Sequence, residues 1–178
     1  NTYELEIFDI ERLPVHHGQI RVWVKKIKNT KYYVKKNIEA LVKLEKEMGL
    51  RGGDYYKFFS REIHKNKDLF LNSLNKIKKE GKTIVGYGAP AKGNTLLTFF
   101  DIDKKTIPYI CDISKLKQNT FSPGKHIPIV SEKKILEDNP DYVLILAWNF
   151  SEEIINQLSS YREKGGKFII PVPSFKII

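Results

Sequence analysis

The chain has 178 residues, which is enough for one ordinary domain with an appendage. Its single cysteine, Cys111, excludes a disulfide framework and a cysteine-ligated metal site, and its apolar stretches, such as residues 142–148, are too short to span a bilayer. The single cysteine also favours a reducing, cytoplasmic setting. The net charge of +10 comes mostly from lysines scattered along the chain, without a nucleic-acid motif, so we expect a protein that binds neither nucleic acid nor membrane.

The first predicted elements are two strands within residues 3–26. Apolar and polar residues alternate in YELEIFDI and again in IRVWV, which is the period of a half-exposed strand. The segment between them, LPVHHGQ, contains Pro14 and Gly18 as turn residues.

Two helices are predicted next, at residues 30–48 and 54–80. Apolar residues recur at helical spacing in both segments. Thr30 and Asp54 are the expected N-terminal caps, and Gly49 and Gly81 are the expected ends.

From residue 82 the pattern alternates between strand and helix. The sequence therefore predicts an α/β fold: a Rossmann-like parallel sheet domain with helices on both faces, preceded by two helices and an N-terminal strand pair. The predicted strands are 83–86, 108–111, 142–147 and 167–171, with a weaker one at 127–130, and the predicted helices are 91–99, 131–137 and 150–164.

The segment GYGAPAKGN follows the first strand of this region and opens its first helix. Counted from Gly86, it matches G-x-G-x-x-A, a relaxed form of the dinucleotide-binding fingerprint. Backbone N–H groups and the positive end of the helix dipole would meet the cation of Lys92 there, so a diphosphate is the expected guest. The candidate binding residues of this loop are Gly86, Tyr87, Gly88, Ala89, Lys92, Gly93 and Asn94.

Three interpretations of this loop remain open from the motif alone. Asp112 lies 24 positions after Gly88, where an acidic residue could hold the ribose hydroxyls of a nicotinamide dinucleotide. A different phosphate ligand is equally compatible with the glycines and Lys92. In the third interpretation, the glycines only allow the helix to pack on the strand, and Asp112 caps the next turn.

Two further segments should reach the same edge of the sheet, because ligands of open α/β sheets bind beyond the carboxyl ends of the strands. DISKLKQNTFSPGKHIP follows the second strand and contributes Lys117 as a candidate. AWNFSEE follows the fourth strand of the alternation and contributes Trp148 and Asn149. Alternatively, Trp148 is a core aromatic residue and Asn149 caps a helix.

His16 and His17 lie in the link between the two N-terminal strands. No carboxylate stands at ligand spacing, so we expect no metal site. A histidine in such a loop is commonly a surface residue, but its ordinary pKa of roughly 6.5 also suits a general base near neutral pH.

Several long motifs together resemble one family. GYGAPAKGNTLL, CDISKLKQNTFSPGKHIPIVS, PDYVLILAWNFSEEII and GGKFIIPVP, in this order, resemble the C-terminal region of the S-adenosylmethionine-dependent sugar C-methyltransferases, which act on nucleotide-linked keto-deoxysugars. LPVHHGQIRVWV and the two helices extend the resemblance over nearly the whole chain.

The resemblance implies that the chain is the C-terminal portion of a larger enzyme. In that family a zinc-binding part and an S-adenosylmethionine-binding domain precede a Rossmann-like domain that helps to hold the nucleotide-linked sugar. Residues 1–28 would then be the terminal strand pair of a truncated methyltransferase domain, 29–81 two linking helices, and 82–178 the sugar-nucleotide-binding domain. We expect no cofactor on this chain itself, because the donor is bound by a domain that the chain lacks. We also expect the strand pair to stay outside the parallel sheet.

The resemblance also implies a catalytic residue. The family has His-Gly-Gly-Ser/Gln-Leu-Arg at the strand link, where this chain has His16, His17, Gly18, Gln19, Ile20 and Arg21. His16 matches the proposed base, which removes the acidified proton at C3 of a 4-keto sugar so that the enolate attacks the methyl group of the donor. His17 replaces a glycine, so which histidine is the base stays open. The alternatives for the whole chain are an NAD-dependent oxidoreductase domain and a non-catalytic Rossmann-like structural module.

Overall fold

A computed structural model describes residues 3–15 and 18–178, and the chain forms two compact units, Asn1–Glu62 and Ile63–Ile178. The strands are β1 Leu5–Leu13, β2 Gln19–Lys26, β3 Ile84–Tyr87, β4 Ile110–Asp112, β5 Thr120–Phe121, β6 Pro128–Ser131, β7 Tyr142–Ile145, β8 Lys167–Ile170 and β9 Lys176–Ile177. The helices are α1 Asn37–Glu47, α2 Gly53–Lys79, α3 Ala91–Phe99, α4 Lys133–Asp138, α5 Ser151–Gln157 and α6 Ser159–Glu163, and a 3-10 helix spans Trp148–Phe150. Of the described helices, none is long and apolar enough to cross a membrane.

The first unit contains an antiparallel ribbon of β1 and β2. Its register runs from Leu5 opposite Lys26 to Leu13 opposite Gln19. The ribbon is a two-stranded sheet of its own, which confirms that the strand pair stays outside the parallel sheet. The assignment of residues 1–28 to a truncated methyltransferase domain stays a prediction.

The predicted start of the first helix at Thr30 is wrong, because α1 begins at Asn37. The segment before α1 forms hydrogen bonds with the free edge of β1 instead of forming a helix. The backbone N–H of Lys35 donates to the carbonyl of Phe8 at 2.9 Å, and the Asn37 side chain donates to the carbonyl of Ile10 at 2.6 Å. These bonds satisfy edge groups that would otherwise be exposed for pairing with another chain. The second helix, in contrast, matches its prediction to within a residue at each end.

The second unit is built on a seven-stranded sheet with the order β5-β6-β4-β3-β7-β8-β9. The five central strands are parallel, and β5 and β9 pair antiparallel at the two edges. The chain moves outward from β3 through β4 to β6 and then returns to β7 on the other side of β3. This reversal places the binding crevice of the sheet at the carboxyl ends of β3 and β7.

Helices cover both faces of this sheet, as the apolar strands predict. Ile84 packs on one face with residues of α2 and α3, including Phe70 and Leu97. Val85, the next residue of β3, packs on the other face with residues of α4, α5 and α6, including Tyr161. The α/β fold class with helices on both faces is therefore confirmed.

The predicted helix at 150–164 is divided into the 3-10 helix, α5 and α6. Leu158, between α5 and α6, leaves helical geometry with φ −96° and ψ 28°. Ile154, Leu158 and Tyr161 nevertheless face the same core cluster. Their spacing of four and three residues is that of one continuous helix, so the periodicity could not reveal the break.

Candidate functional site

The turn between β3 and α3 is held close to the end of β7. Gly88 adopts φ +81°, and its N–H donates to the carbonyl of Cys111 at 2.7 Å. A Cβ atom on Gly88 would lie 2.9 Å from the Cβ of Ala147, which is too close for a real side chain. Glycine at this position therefore lets the loop approach the switch point of the sheet.

The other two glycines of the loop also serve close packing. A Cβ on Gly86 would lie 2.9 Å from Cγ1 of Ile110 on the neighbouring strand, and one on Gly93 would lie 3.1 Å from the Cβ of Leu146. Part of the glycine pattern is thus explained by the contacts of β3 and α3, without any ligand.

Tyr87 faces away from the loop. Its side chain is buried in the core cluster that contains Cys111 and Ile145, and burial raises the pKa of its hydroxyl. This placement separates Tyr87 from the other predicted binding residues.

Asp112 connects the glycine loop to the loop after β4. Its carboxylate accepts hydrogen bonds from the N–H of Ala89 at 2.7 Å and from the N–H of Ser114 at 2.8 Å. The ammonium of Lys117 lies 3.2 Å from the same carboxylate, and the Gln118 side chain donates to the Asp112 carbonyl at 2.9 Å. Since Asp112 is only 5% exposed, its carboxylate mainly makes hydrogen bonds and ion pairs with other residues of the chain.

Lys92 lies in the first turn of α3, beside the segment that follows β7. Its ammonium stands 4.5 Å from the centroid of the Trp148 ring, within the range of a cation–π contact. Burial lowers the pKa of Lys92, and no carboxylate among the described residues offsets that shift. The charge of Lys92 is therefore held at the crevice by an aromatic face, whereas that of Lys117 is paired with Asp112.

Trp148 and Asn149 reach the crevice edge together in the 3-10 helix after β7. Trp148 is partly buried and packs against the core cluster that includes residues of α3. Its ring also contacts the ammonium of Lys92. Asn149 is partly buried beside it.

Asn94 lies in a different place, on a groove between α3 and the turn at Pro123–Gly124. The groove has a volume of about 550 Å³. Of the residues that line this groove, the sequence analysis identified only Asn94 as a candidate. Thr95 and Thr98, three residues apart on α3, were a signal for a polar face of this helix. The groove is lined by Asn94, Thr95, Thr98, Phe99, Pro123 and Gly124.

His16 and His17 lie outside the described residues, so the role of either histidine stays a prediction. Pro14 and Gly18, on either side of them in the chain, line a groove of about 770 Å³ in the first unit. Its other walls include Leu41 and Leu44 of α1.

The contacts of Asp112 count against the dinucleotide interpretation of the glycine loop. The Asp112 carboxylate, which would hold ribose hydroxyls, already accepts bonds from two backbone N–H groups and faces Lys117. Within residues 3–15 and 18–178 there is also no group of three or more histidine, cysteine or acidic side chains that could hold a metal ion.

Comparison with known proteins gives two concordant matches. The family model of the C-methyltransferase C-terminal domain matches residues 14–173. The C-methyltransferase NovU of Streptomyces niveus is 30% identical over 177 residues, which cover 99% of this chain and 42% of that relative. The chain thus spans less than half the length of this curated relative.

Proposed function

This chain belongs to the family of C-methyltransferase C-terminal domains, and we propose that it is the C-terminal portion of an S-adenosylmethionine-dependent enzyme that methylates a nucleotide-linked 4-keto-deoxysugar. In this proposal the second unit holds the nucleotide-linked sugar. The methyl donor and any zinc ion are bound by parts of the enzyme that correspond to the length of NovU beyond this chain.

The observation that carries the proposal is the position of Lys92. It brings a cation to the first turn of α3 at the crevice between β3 and β7, next to the Trp148 ring. A diphosphate placed there would meet the positive end of the α3 dipole and the Lys92 ammonium together. Because Lys92 is partly buried, its attraction for a diphosphate is stronger than that of a lysine on an open surface.

The remaining residues of the loop would position this anchor. Asp112 holds Ala89 and Ser114, so the loops after β3 and β4 keep their spacing when the ligand binds. Binding energy from the diphosphate, which does not react, would orient the keto sugar for the chemical step.

For the chemical step, we propose His16 as the base that removes the proton at C3 of the sugar. The 4-keto group acidifies that C–H bond, and an imidazole with its ordinary pKa of roughly 6.5 can accept the proton at neutral pH. His17 is the alternative base.

The oxidoreductase alternative is disfavoured by the bonds that already engage the Asp112 carboxylate. The structural-module alternative is supported by the packing role of Gly86, Gly88 and Gly93. It differs from the proposal in one consequence: in a purely structural module, Lys92 would not affect ligand binding.

The test is calorimetric titration of wild type and Lys92→Ala with UDP- and dTDP-linked 4-keto-6-deoxysugars. Loss of one charge-assisted contact, worth on the order of 1.5–3 kcal/mol, should weaken binding about tenfold or more. Lys164→Ala is the matched control, because it removes the same charge from an exposed position. Lys164 precedes β8 and therefore lies near the amino end of that strand, whereas Lys92 lies at the carboxyl end of β3. Equal affinities of wild type and Lys92→Ala would refute the proposed anchor and favour the structural module.

A further inference from the structure

We propose that α1 and one face of the β1–β2 ribbon together form a docking surface for the part of the enzyme that corresponds to the length of NovU beyond this chain. The inference rests on the proposed function, in which the chain is one portion of a larger enzyme. It changes the predicted role of α1, which then belongs to an interface and is more than a link between two domains.

The first unit has no buried core of its own. Not one residue at 3–15 or 18–62 is buried, although many of the side chains there are apolar. A two-stranded ribbon is at best marginally stable in water, and a helix as short as the 11 residues of α1 gains most of its stability from packing. The unit therefore needs a further layer against which its apolar side chains can pack.

One face of the ribbon is apolar. Residues directly opposite each other in an antiparallel pair project to the same face, and alternate residues of each strand share it. Val22 lies opposite Ile10, and Val24 lies opposite Ile7. All members of this face except Ile10 are between 43% and 49% exposed. The apolar face consists of Leu5, Ile7, Ile10, Ile20, Val22 and Val24.

The opposite face of the ribbon carries ion pairs. The ammonium of Lys25 lies 3.1 Å from the carboxylate of Glu6, and the guanidinium of Arg21 lies 2.9 Å from that of Glu11. Charged side chains such as these are normally found at the surface in contact with water. The contrast between the two faces indicates that a partner covers the apolar one.

α1 extends the apolar face into a single surface. Leu41 and Leu44 of α1, and Met48 directly after it, recur at helical spacing. All three line the groove of about 770 Å³ in the first unit, and so does Ile20 of the ribbon's apolar face. Leu44 is 38% exposed and Met48 is 43% exposed. An apolar side chain of the partner can fill this groove and contact the ribbon and α1 together.

Two observations identify the occupant of this surface. The chain covers 42% of NovU, so more than half of that relative has no counterpart here and is available to supply the missing layer. A second copy of this chain is disfavoured by charge, because β2 contains Arg21, Lys25 and Lys26 and no carboxylate. Antiparallel pairing of two such strands along their outer edges would bring these cations together.

The first experiment compares hydrogen–deuterium exchange in the 178-residue chain and in the full-length enzyme, without substrate. Peptides from β2 and α1 should exchange at least about tenfold more slowly in the full-length enzyme, because their apolar side chains are covered there. Peptides from β3 and β7 should exchange equally in both proteins. Equal exchange of β2 and α1 in the two proteins would overturn the proposal. A dimer of the shorter chain in sedimentation, with these peptides protected, would also overturn it.

Variants test the ribbon and α1 separately. In the full-length enzyme, Val22→Ser and Leu44→Ser should each accelerate exchange at both β2 and α1, whereas in the shorter chain, where the surface is uncovered, both changes should have little effect. Val34→Ser is the matched control, because Val34 is 50% exposed, close to the 46% of Val22, and lies outside the surface. Equal acceleration by Val34→Ser would contradict the assigned face. Acceleration by Val22→Ser but not by Leu44→Ser would return α1 to the role of a link.

The results are independent of the diphosphate anchor, because no ligand is present during exchange. If Lys92→Ala leaves the affinity for nucleotide-linked sugars unchanged but β2 and α1 are protected in the full-length enzyme, the anchor falls and the docking surface stands. If Lys92→Ala weakens binding but β2 and α1 exchange equally in the two proteins, the anchor stands and the docking surface falls.

Discussion

Asp112→Asn should destabilise the second unit. The two oxygens of the carboxylate accept hydrogen bonds from two backbone N–H groups, whereas a side-chain amide has only one oxygen that can accept. Ala89 donates to Oδ2 at 2.7 Å and Ser114 to Oδ1 at 2.8 Å. Whichever way the asparagine amide is turned, one of these N–H groups faces an NH₂ group. Both donors lie in a part-buried environment, and Asp112 is only 5% exposed.

The expected loss follows from these contacts. A buried donor left without an acceptor costs about 1–3 kcal/mol, and the surviving bond weakens because it no longer involves a charged acceptor. The contact with Lys117 adds little, since partly exposed ion pairs contribute about 0–1 kcal/mol. Together these effects predict a decrease of about 2–4 kcal/mol in the free energy of unfolding.

The assay is urea unfolding followed by tryptophan fluorescence in a Trp23→Phe background, in which Trp148 reports on the second unit alone. Asp68→Asn, at an exposed position of α2, should change the free energy of unfolding by less than about 0.5 kcal/mol. A loss below about 1 kcal/mol for Asp112→Asn would refute the view that Asp112 clamps the two loops.

Three further predictions concern stability and cofactor binding. Gly88→Ala should cost at least about 2 kcal/mol in urea unfolding, because the new side chain would sit at φ +81° and meet Ala147 at 2.9 Å; wild-type stability would contradict this. Hydrogen bonds from Thr83 and the charge of Lys82 hold the pKa of Asp141 at about 2, below its ordinary 3.8. This lowering corresponds to about 2.4 kcal/mol in the free energy of unfolding. Because Asp141 is partly exposed, we expect a contribution of about 1 kcal/mol. That stability is complete above about pH 4–5 and is lost as the pH falls through 2, so Asp141→Asn should be less stable than wild type at pH 7 and nearly equal at pH 2; a difference independent of pH would argue against it. The 178-residue chain should not bind S-adenosylmethionine, and a micromolar affinity in calorimetry would exclude our assignment of the donor site to another part of the enzyme.

The sequence by itself determined the fold class of the second unit. Strands that are apolar at most positions alternate with helices, and this pattern is typical of a parallel sheet that is covered on both faces. The limits of α3 were predicted to the residue, because the glycine loop and Pro90 mark its start. The sequence also located the loop at which β3 turns into α3 and named Lys92 as its cation.

The tertiary structure alone decided how the groups at that loop are used. Whether a backbone N–H is open to a ligand depends on partners far away in the chain, and the N–H of Ala89 has its acceptor in Asp112. Likewise, Lys35 pairs with the edge of β1, so the first helix starts later than its periodicity indicates. Sequence patterns report the local period of burial, whereas hydrogen-bond partners, close approaches at glycine and the pairing of charges arise only when distant segments are brought together.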